Sequence, residues 1–330
     1  MTNPERDPDE IVCTTGAATV EVMVPREVPL GGPRAMHVRR TLPQRDRSLI
    51  GAWCFLDHYG PDQVADSGGM SVAPHPHTGL QTVSWLFTGE VEHRDSAGHH
   101  AMVRPGELNL MTAGRGISHS EVSPASTTTL HGAQLWVALP DSARQTDPAF
   151  EHYTPRSVTG EGWQVRVFLG SLLGDRSPVT TYSPLLGAEL LLEPHTELTL
   201  DVDPAFEHGV LVDGGVLAVA GQETKQNELT YVPPGSPQLT LASYDEPVRM
   251  LLLGGEPFGG SIVMWWNFVG RTHEEVVGYR DEWQAQITAG GAVVSDSQDV
   301  SDGRFGVVAG DHLPPIPAPE MPHVRLKQRR

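Results

Sequence analysis

Short apolar runs separated by turn-forming residues dominate the chain from Ala17 onward. Glycine, proline, aspartate and asparagine interrupt these runs, as is typical of antiparallel strands joined by tight turns. The clearest runs are TVEVMVP (19–25), TVSWLF (82–87), LHGAQLWVALP (130–140) and WQVRVFLG (163–170). The pattern therefore predicts an all-β protein.

The second half of the chain repeats this style without evident identity to the first. Its runs are AELLLEP (188–194), HGVLVDGGVLAVAG (208–221), ELTYVPPG (228–235) and VRMLLLGGEP (248–257). The DGG inside the second of these runs is a favourable hairpin turn. Two similar sets of strands predict two barrels or sandwiches of one type in one chain.

The boundary between the two predicted barrels lies in the turn-rich stretch PDSARQTDPAF, at 140–150. The predicted domains are a flexible N-terminus at 1–16, a first barrel at 17–150, a second barrel at 151–270, and a helix with a tail at 271–330.

One helix is predicted near the C-terminus. Thr272 and Glu275 have the spacing of a capping box, and RTHEEVVGYRDEWQAQ (271–286) carries apolar residues at roughly helical spacing. The following HLPPIPAPEMPHV (312–324) is proline-rich. We expect it to be extended, either against a domain or in solvent, without forming an element of its own.

Charge and cysteine content narrow the class of protein. The 330 residues carry a formal net charge of −18, which disfavours direct binding to nucleic acid or to an anionic membrane. Cys13 and Cys54 form no CxxC pair, and no apolar run has the length of a membrane span. We expect a cytoplasmic protein with no nucleic-acid partner and no membrane contact.

Candidate chemistry begins at APHPHTGLQTVSW, residues 73–85. If the segment is extended, His75 and His77 point to the same side, with Cα atoms about 6–7 Å apart. Two imidazoles at that spacing can converge on one metal ion with bonds of about 2.0–2.2 Å. Pro76 favours an extended His75. The alternative is a pair of histidines that share a strand face by chance.

A second pair strengthens the metal interpretation. In PGELNLMTAGRGISHSE (105–121), His119 and Glu121 again lie two apart behind a turn. If both segments are strands, the chain offers three imidazole nitrogens and one carboxylate. This donor set suits a first-row transition metal, and four ligands in an octahedral ion leave two positions open.

The same residues resemble the pirin family, a branch of the cupin superfamily. Gly69 precedes the HxH by six residues, as in the first cupin motif. The matching segments are WCFLDHYGP (53–61), APHPHTGLQTVSWLFTGEVEHRDSAG (73–98), RPGELNLMTAGRGISHSE (104–121), HGAQLWVALP (131–140) and, more loosely, GGEP (254–257). The resemblance implies two cupin barrels. It also implies a metal, usually iron, in the first barrel at His75, His77, His119 and Glu121.

The resemblance has departures and gaps. Where general cupins carry a glutamate after the HxH, this chain has Gln81, so Glu121 takes the carboxylate role. Phe55, Gln81 and Gln134 are candidates for the substrate pocket. The second half has no HxH pair, which predicts a second barrel without metal.

His93 and Asp95 also lie two apart and match a pirin-like HxD pattern. We interpret them as structural residues, or as hydrogen-bond partners of the metal ligands, rather than as ligands.

The resemblance implies an enzyme, a quercetin 2,3-dioxygenase that opens a flavonol ring with dioxygen and releases carbon monoxide. Glu121 would be ligand and proton acceptor for the flavonol hydroxyl. Fe(II) suits the donor set, with Mn, Ni, Co, Cu and Zn as alternatives. Because the ligating histidines must be neutral, metal affinity should fall as the pH drops through about 6.5.

The rival hypothesis is a non-catalytic regulatory protein that depends on its metal and acts through protein partners. Animal pirin is a co-regulator of this kind, and the acidic character of the chain is compatible with protein partners.

Overall fold

Strands β1 to β12 make up the first part of the fold. The structure, a computed structural model, describes residues 19–29 and 36–329, so the predicted flexible N-terminus at 1–16 lies outside the described residues. The strands are β1 (Glu21–Met23), β2 (Arg26–Pro29), β3 (His37–Leu42), β4 (Trp53–Gln63), β5 (Ser71–His77), β6 (Leu80–Thr88), β7 (Val91–Asp95), β8 (His100–Val103), β9 (Leu108–Thr112), β10 (Ile117–Val122), β11 (Thr129–Ala138) and β12 (Ala149–Tyr153), with a short helix α1 (Val64–Ser67) after β4.

Two antiparallel sheets form the first barrel. Their strand orders are β12-β9-β6-β11-β4-β3-β2 and β5-β10-β7-β8. Apolar side chains from both sheets meet in one buried core, including Val72 and Ile117 from the smaller sheet and Leu86 and Trp136 from the larger. The alternation of strand side chains gives each sheet this inner face and an opposite outer face.

The second barrel has the same layout. Its strands are β13 (Ser157–Gly160), β14 (Trp163–Leu169), β15 (Ser171–Leu172), β16 (Asp175–Arg176), β17 (Leu185–Leu192), β18 (Glu197–Asp201), β19 (Glu207–Gly214), β20 (Leu217–Val219), β21 (Gln222–Thr224), β22 (Leu229–Val232), β23 (Gln238–Ser243) and β24 (Val248–Gly255). The sheet orders are β1-β22-β19-β24-β17-β14-β13 and β18-β23-β20-β21. The predicted all-β fold with two cupin barrels is confirmed.

The two large sheets pack against each other through their outer faces. Trp85 from β6 stacks on Phe168 from β14 with ring centroids 4.6 Å apart. Trp53 Nε1 donates to the backbone oxygens of Leu186 and Gly254 in the second barrel. One apolar cluster contains residues of both barrels, so burial of apolar surface joins them.

Two strands depart from the predicted domain bounds. β1 lies in the segment predicted for the first barrel, but it pairs with β22 and completes the second barrel's sheet. β12 crosses the predicted boundary at 150 and pairs with β9 of the first barrel. Pairing with strands elsewhere in the chain determines which barrel β1 and β12 join, and the local sequence does not indicate that pairing.

The chain after the second barrel returns to the first. It forms β25 (Val263–Trp265), β26 (Phe268–Gly270), α2 (His273–Gln286), β27 (Thr288–Ala289), β28 (Ala292–Val293) and a 3-10 turn (Ser297–Asp299). The Thr272 side chain caps α2 by accepting from Glu275 N, which confirms the predicted C-terminal helix. β26 bridges Thr78, directly after β5.

The proline-rich tail lies against the first barrel in extended form, as the sequence allows. Ile316 N donates to Pro74 O at 2.8 Å, and Trp283 Nε1 of α2 donates to Ile316 O. Of the helices in the described ranges, α2 is the longest, and none is long and apolar enough to cross a membrane.

Gly79, two residues after β5, lies close against the backbone of the C-terminal segment. Its φ is +68°, and a Cβ there would lie 2.2 Å from Val269 O. Gly79→Ala should destabilise the fold by about 1–2 kcal/mol for the left-handed backbone, and by a further 1–3 or so for the clash. Gly68→Ala is the control, since Gly68 has φ +83° and open space around it. Denaturant unfolding measures both, and equal losses would contradict the packing argument.

Candidate metal centre

Three histidines meet inside the first barrel. β5 and β10 pair antiparallel, with His119 opposite His75 and Ile117 opposite His77. His75, His77 and His119 are fully buried. One ring nitrogen of each lies within 4.8 Å of the others, and the ring centroids are 4.4–5.0 Å apart. The structure therefore brings together the three predicted imidazoles.

Hydrogen bonds to backbone carbonyls fix the tautomers of two of these rings. His75 Nδ1 lies 2.9 Å from Ala73 O, and His77 Nδ1 lies 3.2 Å from Asn267 O. A carbonyl oxygen can only accept, so each Nδ1 carries the hydrogen and each Nε2 keeps its lone pair. A metal ligand needs this arrangement.

The Nε2 atoms of His77 and His119 are buried without a hydrogen-bond partner in the described part of the chain. An unsatisfied buried acceptor costs about 1–3 kcal/mol. A divalent ion among the three rings would satisfy these lone pairs at the usual bond length for imidazole. The residues present therefore fit a metal.

Burial also keeps the three rings neutral. It lowers the pKa of His75, His77 and His119 well below the ordinary value of 6.5, and the neighbouring histidines lower it further. Protons therefore compete with a metal for these nitrogens only at a pH lower than the 6.5 expected from an unperturbed histidine.

Glu121 lies beside the histidines but outside their group of ligand atoms. It follows His119 by two residues on β10, where the pairing with β5 is irregular between the two positions. Its buried carboxylate lies 3.4 Å from Ser84 Oγ. Among the described residues, the ligand atoms that converge at this centre belong to the three histidines and do not include the Glu121 carboxylate. Ligation by Glu121 therefore stays a prediction.

Gln134 faces the interior next to Glu121. Gln134 Oε1 accepts from Ser84 Oγ at 2.8 Å, while its Nε2 is buried without a partner among the residues described. Across the sheet, Gln134 is directly opposite both Ser84 and Asp57. Asp57 in turn accepts two 2.7 Å hydrogen bonds from the buried Arg40. A polar row thus crosses the inner face of an otherwise apolar sheet.

Phe55 lies one ring away from the histidines. It stacks on Trp136 with centroids 4.0 Å apart, and the Trp136 and His77 rings are nearly perpendicular with centroids 5.1 Å apart. The Arg40 guanidinium covers Phe55 at 4.4 Å. Phe55 and Gln134 therefore both lie in the interior of the first barrel, and their role in a substrate pocket stays a prediction.

The structure does not place Gln81 in that interior. Val83 and Trp85, two and four residues further along β6, belong to the cluster between the barrels, and side chains alternate along a strand. Gln81 Nε2 accordingly donates to Thr112 Oγ1 and to Thr180 O of the second half. Gln81 takes part in contacts toward the second barrel.

A second cluster of metal-ligating residue types joins the two barrels. Asp213 Oδ1 lies 2.7 Å from His58 Nε2 and 2.6 Å from His131 Nε2. All three residues could together hold an ion by composition. The sequence pattern did not predict this group. It assigned Asp213 only to a hairpin turn, and His58 and His131 are 155 and 82 positions away from it.

Hydrogen-bond chemistry argues against a metal at this second cluster. Arg39 Nε donates to His58 Nδ1 at 3.4 Å, so neutral His58 carries its hydrogen on Nε2 and donates it to Asp213. Burial lowers the pKa of His58, which favours that neutral form. Arg249 lies 3.6 Å from the other carboxylate oxygen. The second cluster is therefore a satisfied hydrogen-bonded junction, unlike the three-histidine centre.

Comparisons with known proteins agree with the fold. A family model described as Pirin matches residues 35–137, and one described as the Pirin C-terminal cupin domain matches residues 187–289. A Pseudomonas aeruginosa protein named "Putative quercetin 2,3-dioxygenase" is 43% identical over 296 residues, 88% of this chain and 89% of that protein. A "Pirin-like protein" of Caulobacter vibrioides is 35% identical over 258 residues, 75% and 88% of the two chains.

One solved structure is similar over nearly the whole chain. The crystal structure of quercetin 2,3-dioxygenase from Acinetobacter baumannii has a TM-score of 0.83 and 37% identity, and the match covers 93% of this chain and 97% of that one.

Metal content distinguishes the two clusters. The protein loaded with a divalent metal and desalted should retain one equivalent, because of the two clusters in the described residues the three-histidine centre is the one that presents lone pairs inward. His77→Ala should retain none, and Asp213→Asn should still retain one. Elemental analysis of the three proteins measures this. Two equivalents in the parent, or loss confined to Asp213→Asn, would contradict the tautomer argument.

The metal-free protein should be acid-labile. Burial lowers the pKa of the three histidines from 6.5, so below that pH the unfolded chain binds more protons than the native state. Stability is fully present above 6.5 and is lost as the pH falls toward the lowered values, by up to about 1.4 kcal/mol per pH unit per histidine.

Denaturant midpoints between pH 7.5 and 5 test this expectation. His77→Gln should show a shallower pH dependence than the parent, whereas His323→Gln, at an exposed position, should match it. A slope unchanged by His77→Gln would count against the buried, neutral centre.

Proposed function

The chain belongs to the pirin family, and from that premise we propose that it is a metal-dependent dioxygenase that opens the ring of a flavonol such as quercetin. The observation that carries the proposal is the set of three buried imidazoles with lone pairs inward, beside the buried carboxylate of Glu121. The names of the relatives from Pseudomonas and Acinetobacter support the same reaction class.

The resident metal in this proposal is Fe(II), held by His75, His77 and His119 and completed by Glu121. Nitrogen and oxygen donors suit Fe(II), and Mn, Ni, Co, Cu and Zn accept similar sets. When bound, a redox-active divalent metal supplies the electron-transfer chemistry that lets dioxygen react with a closed-shell flavonol.

The reaction needs no external reductant. One flavonol and one dioxygen give one carbon monoxide and a ring-opened ester acid, which retains the remaining carbon and oxygen atoms. Glu121 takes the proton of the flavonol 3-hydroxyl on its carboxylate, which lies 3.4 Å from Ser84 Oγ. Gln134 Nε2, a buried donor without a partner among the residues described, would bond the substrate carbonyl.

The surrounding residues would shape the pocket and exclude water from it. Phe55 and Trp136 form a stacked aromatic wall that suits a planar ligand. Burial raises the pKa of Tyr59, and the charges of Glu121 and Asp57 raise it further, so its phenol stays neutral. We also propose a cytoplasmic location, in keeping with the free, buried Cys54.

Oxygen consumption and carbon monoxide release with quercetin test the reaction on iron-loaded protein. Glu121→Gln should lower kcat by about 100-fold to 10,000-fold through loss of the proton acceptor, and His75→Ala should abolish turnover with the metal. Turnover unchanged in both variants would refute the proposal. A parent protein with no flavonol turnover but iron-dependent capture of a protein partner would favour the regulatory hypothesis instead.

Gln134 and Gln81 form a matched pair for the pocket. Gln134→Leu should lower kcat/KM by roughly 10-fold to 100-fold, the usual effect of losing one buried hydrogen bond to substrate. Gln81→Leu should leave kcat/KM unchanged while lowering stability, since Gln81 bonds Thr112 and Thr180. Steady-state kinetics with quercetin measure both variants. A loss of kcat/KM in Gln81→Leu but not in Gln134→Leu would contradict a pocket in the interior of the first barrel.

A further inference from the structure

His119 differs from the other two histidines in how its ring is held. The Nδ1 atoms of His75 and His77 bond backbone carbonyls, whereas His119 Nδ1 lies 3.3 Å from His93 Nδ1. Two imidazole nitrogens can share a hydrogen bond only if one donates and the other accepts. The tautomer of His119 is therefore set by the tautomer of His93.

His93 is in turn held by Asp95. His93 Nε2 lies 3.2 Å from Asp95 Oδ2, and both side chains are buried on β7, which pairs with β10. The Phe150 ring lies over His93 with centroids 4.8 Å apart and an interplanar angle of 30°. Packing and one hydrogen bond therefore fix both the plane and the direction of the His93 ring.

Asp95 is fixed by the turn that follows β7. Asp95 Oδ1 accepts from Ala97 N at 2.9 Å and from His99 N at 3.0 Å, and His99 Nδ1 lies 3.1 Å from both carboxylate oxygens. Because both backbone donors of the turn bond Oδ1, Oδ2 is the oxygen that accepts from His93. The turn thus presents a carboxylate oxygen, an acceptor only, to the buried imidazole.

The hydrogens along this path follow one direction. Asp95 accepts, so neutral His93 carries its hydrogen on Nε2 and keeps a lone pair on Nδ1. His119 Nδ1 then donates to that lone pair, which leaves His119 Nε2 unprotonated and directed at His75 and His77. The opposite assignment would put an N–H in the centre, where it could not ligate a metal.

We infer that His93 and Asp95 are positioning residues that hold His119 in the metal-binding tautomer. The inference rests on the metal centre of the proposed function and not on the flavonol reaction assigned to it. The tautomer of His119 therefore depends on side chains, whereas those of His75 and His77 depend on backbone carbonyls. A single isosteric substitution can therefore reverse it without touching a ligand.

Asp95→Asn is that substitution. Its side-chain oxygen would remain with the backbone donors of the turn, so its NH2 would face His93 Nε2. His93 would then have to accept there and carry its hydrogen on Nδ1, and His119 would have to accept on Nδ1 and carry its hydrogen on Nε2. The whole path reverses while the volume stays the same.

The first readout needs no metal. ¹⁵N NMR of the metal-free protein, labelled at histidine, should show His119 Nε2 as an unprotonated ring nitrogen in the parent and as a protonated one in Asp95→Asn. His99→Ala is the control, because His99 bonds the same carboxylate but lies outside the path; its His119 signal should match the parent. An unchanged Nε2 signal in Asp95→Asn would overturn the inference.

The second readout is the affinity for Ni²⁺, measured by chelator competition. Asp95→Asn and His93→Leu should bind about 10-fold to 100-fold more weakly. His93→Gln should recover most of the affinity, since its side-chain oxygen can accept from His119 Nδ1, and His99→Ala should retain it. Equal losses in all four variants would reduce these residues to a general structural role and overturn the inference. Failure of the parent to turn over quercetin would leave both readouts intact.

Discussion

The antiparallel pairing of β5 with β10 is the constraint on which the candidate centre depends. It sets His119 opposite His75 and, through the alternation of side chains, directs His77 to the same side. Proximity alone would not make a metal site. The hydrogen on each ring must also point outward, and acceptors around the centre impose this: two backbone carbonyls for His75 and His77, and the side chain of His93 for His119.

The rest of the fold supplies those acceptors. Asn267, whose carbonyl holds His77, comes from the segment that follows the second barrel and bridges Thr78 through β26. The tail continues along β10 and β5, where Ser118 N donates to Phe305 O and Ile316 N to Pro74 O. The apolar cluster between the barrels fixes the second barrel and thereby the start of this return. A centre in the first barrel thus depends on residues almost two hundred positions away.

Local patterns were sufficient to predict much of this arrangement. The HxH and HxE spacings predict side chains on one strand face, and the surrounding segments identify the family and hence the two barrels. Gln81 shows where local pattern stops, because the face toward which a β-strand residue points depends on the phase of its strand, and β6 directs Gln81 toward the second barrel. β1 and the His58–His131–Asp213 junction were beyond reach for a related reason, since both join distant segments by tertiary pairing.

The most direct test of the central claim is an anomalous difference map from a crystal of the iron-loaded protein, collected at the iron absorption edge. The account predicts one strong peak in the first barrel, within bonding distance of Nε2 of His75, His77 and His119. A map with no peak there, or with its strongest peak at the junction of His58, His131 and Asp213, would contradict it.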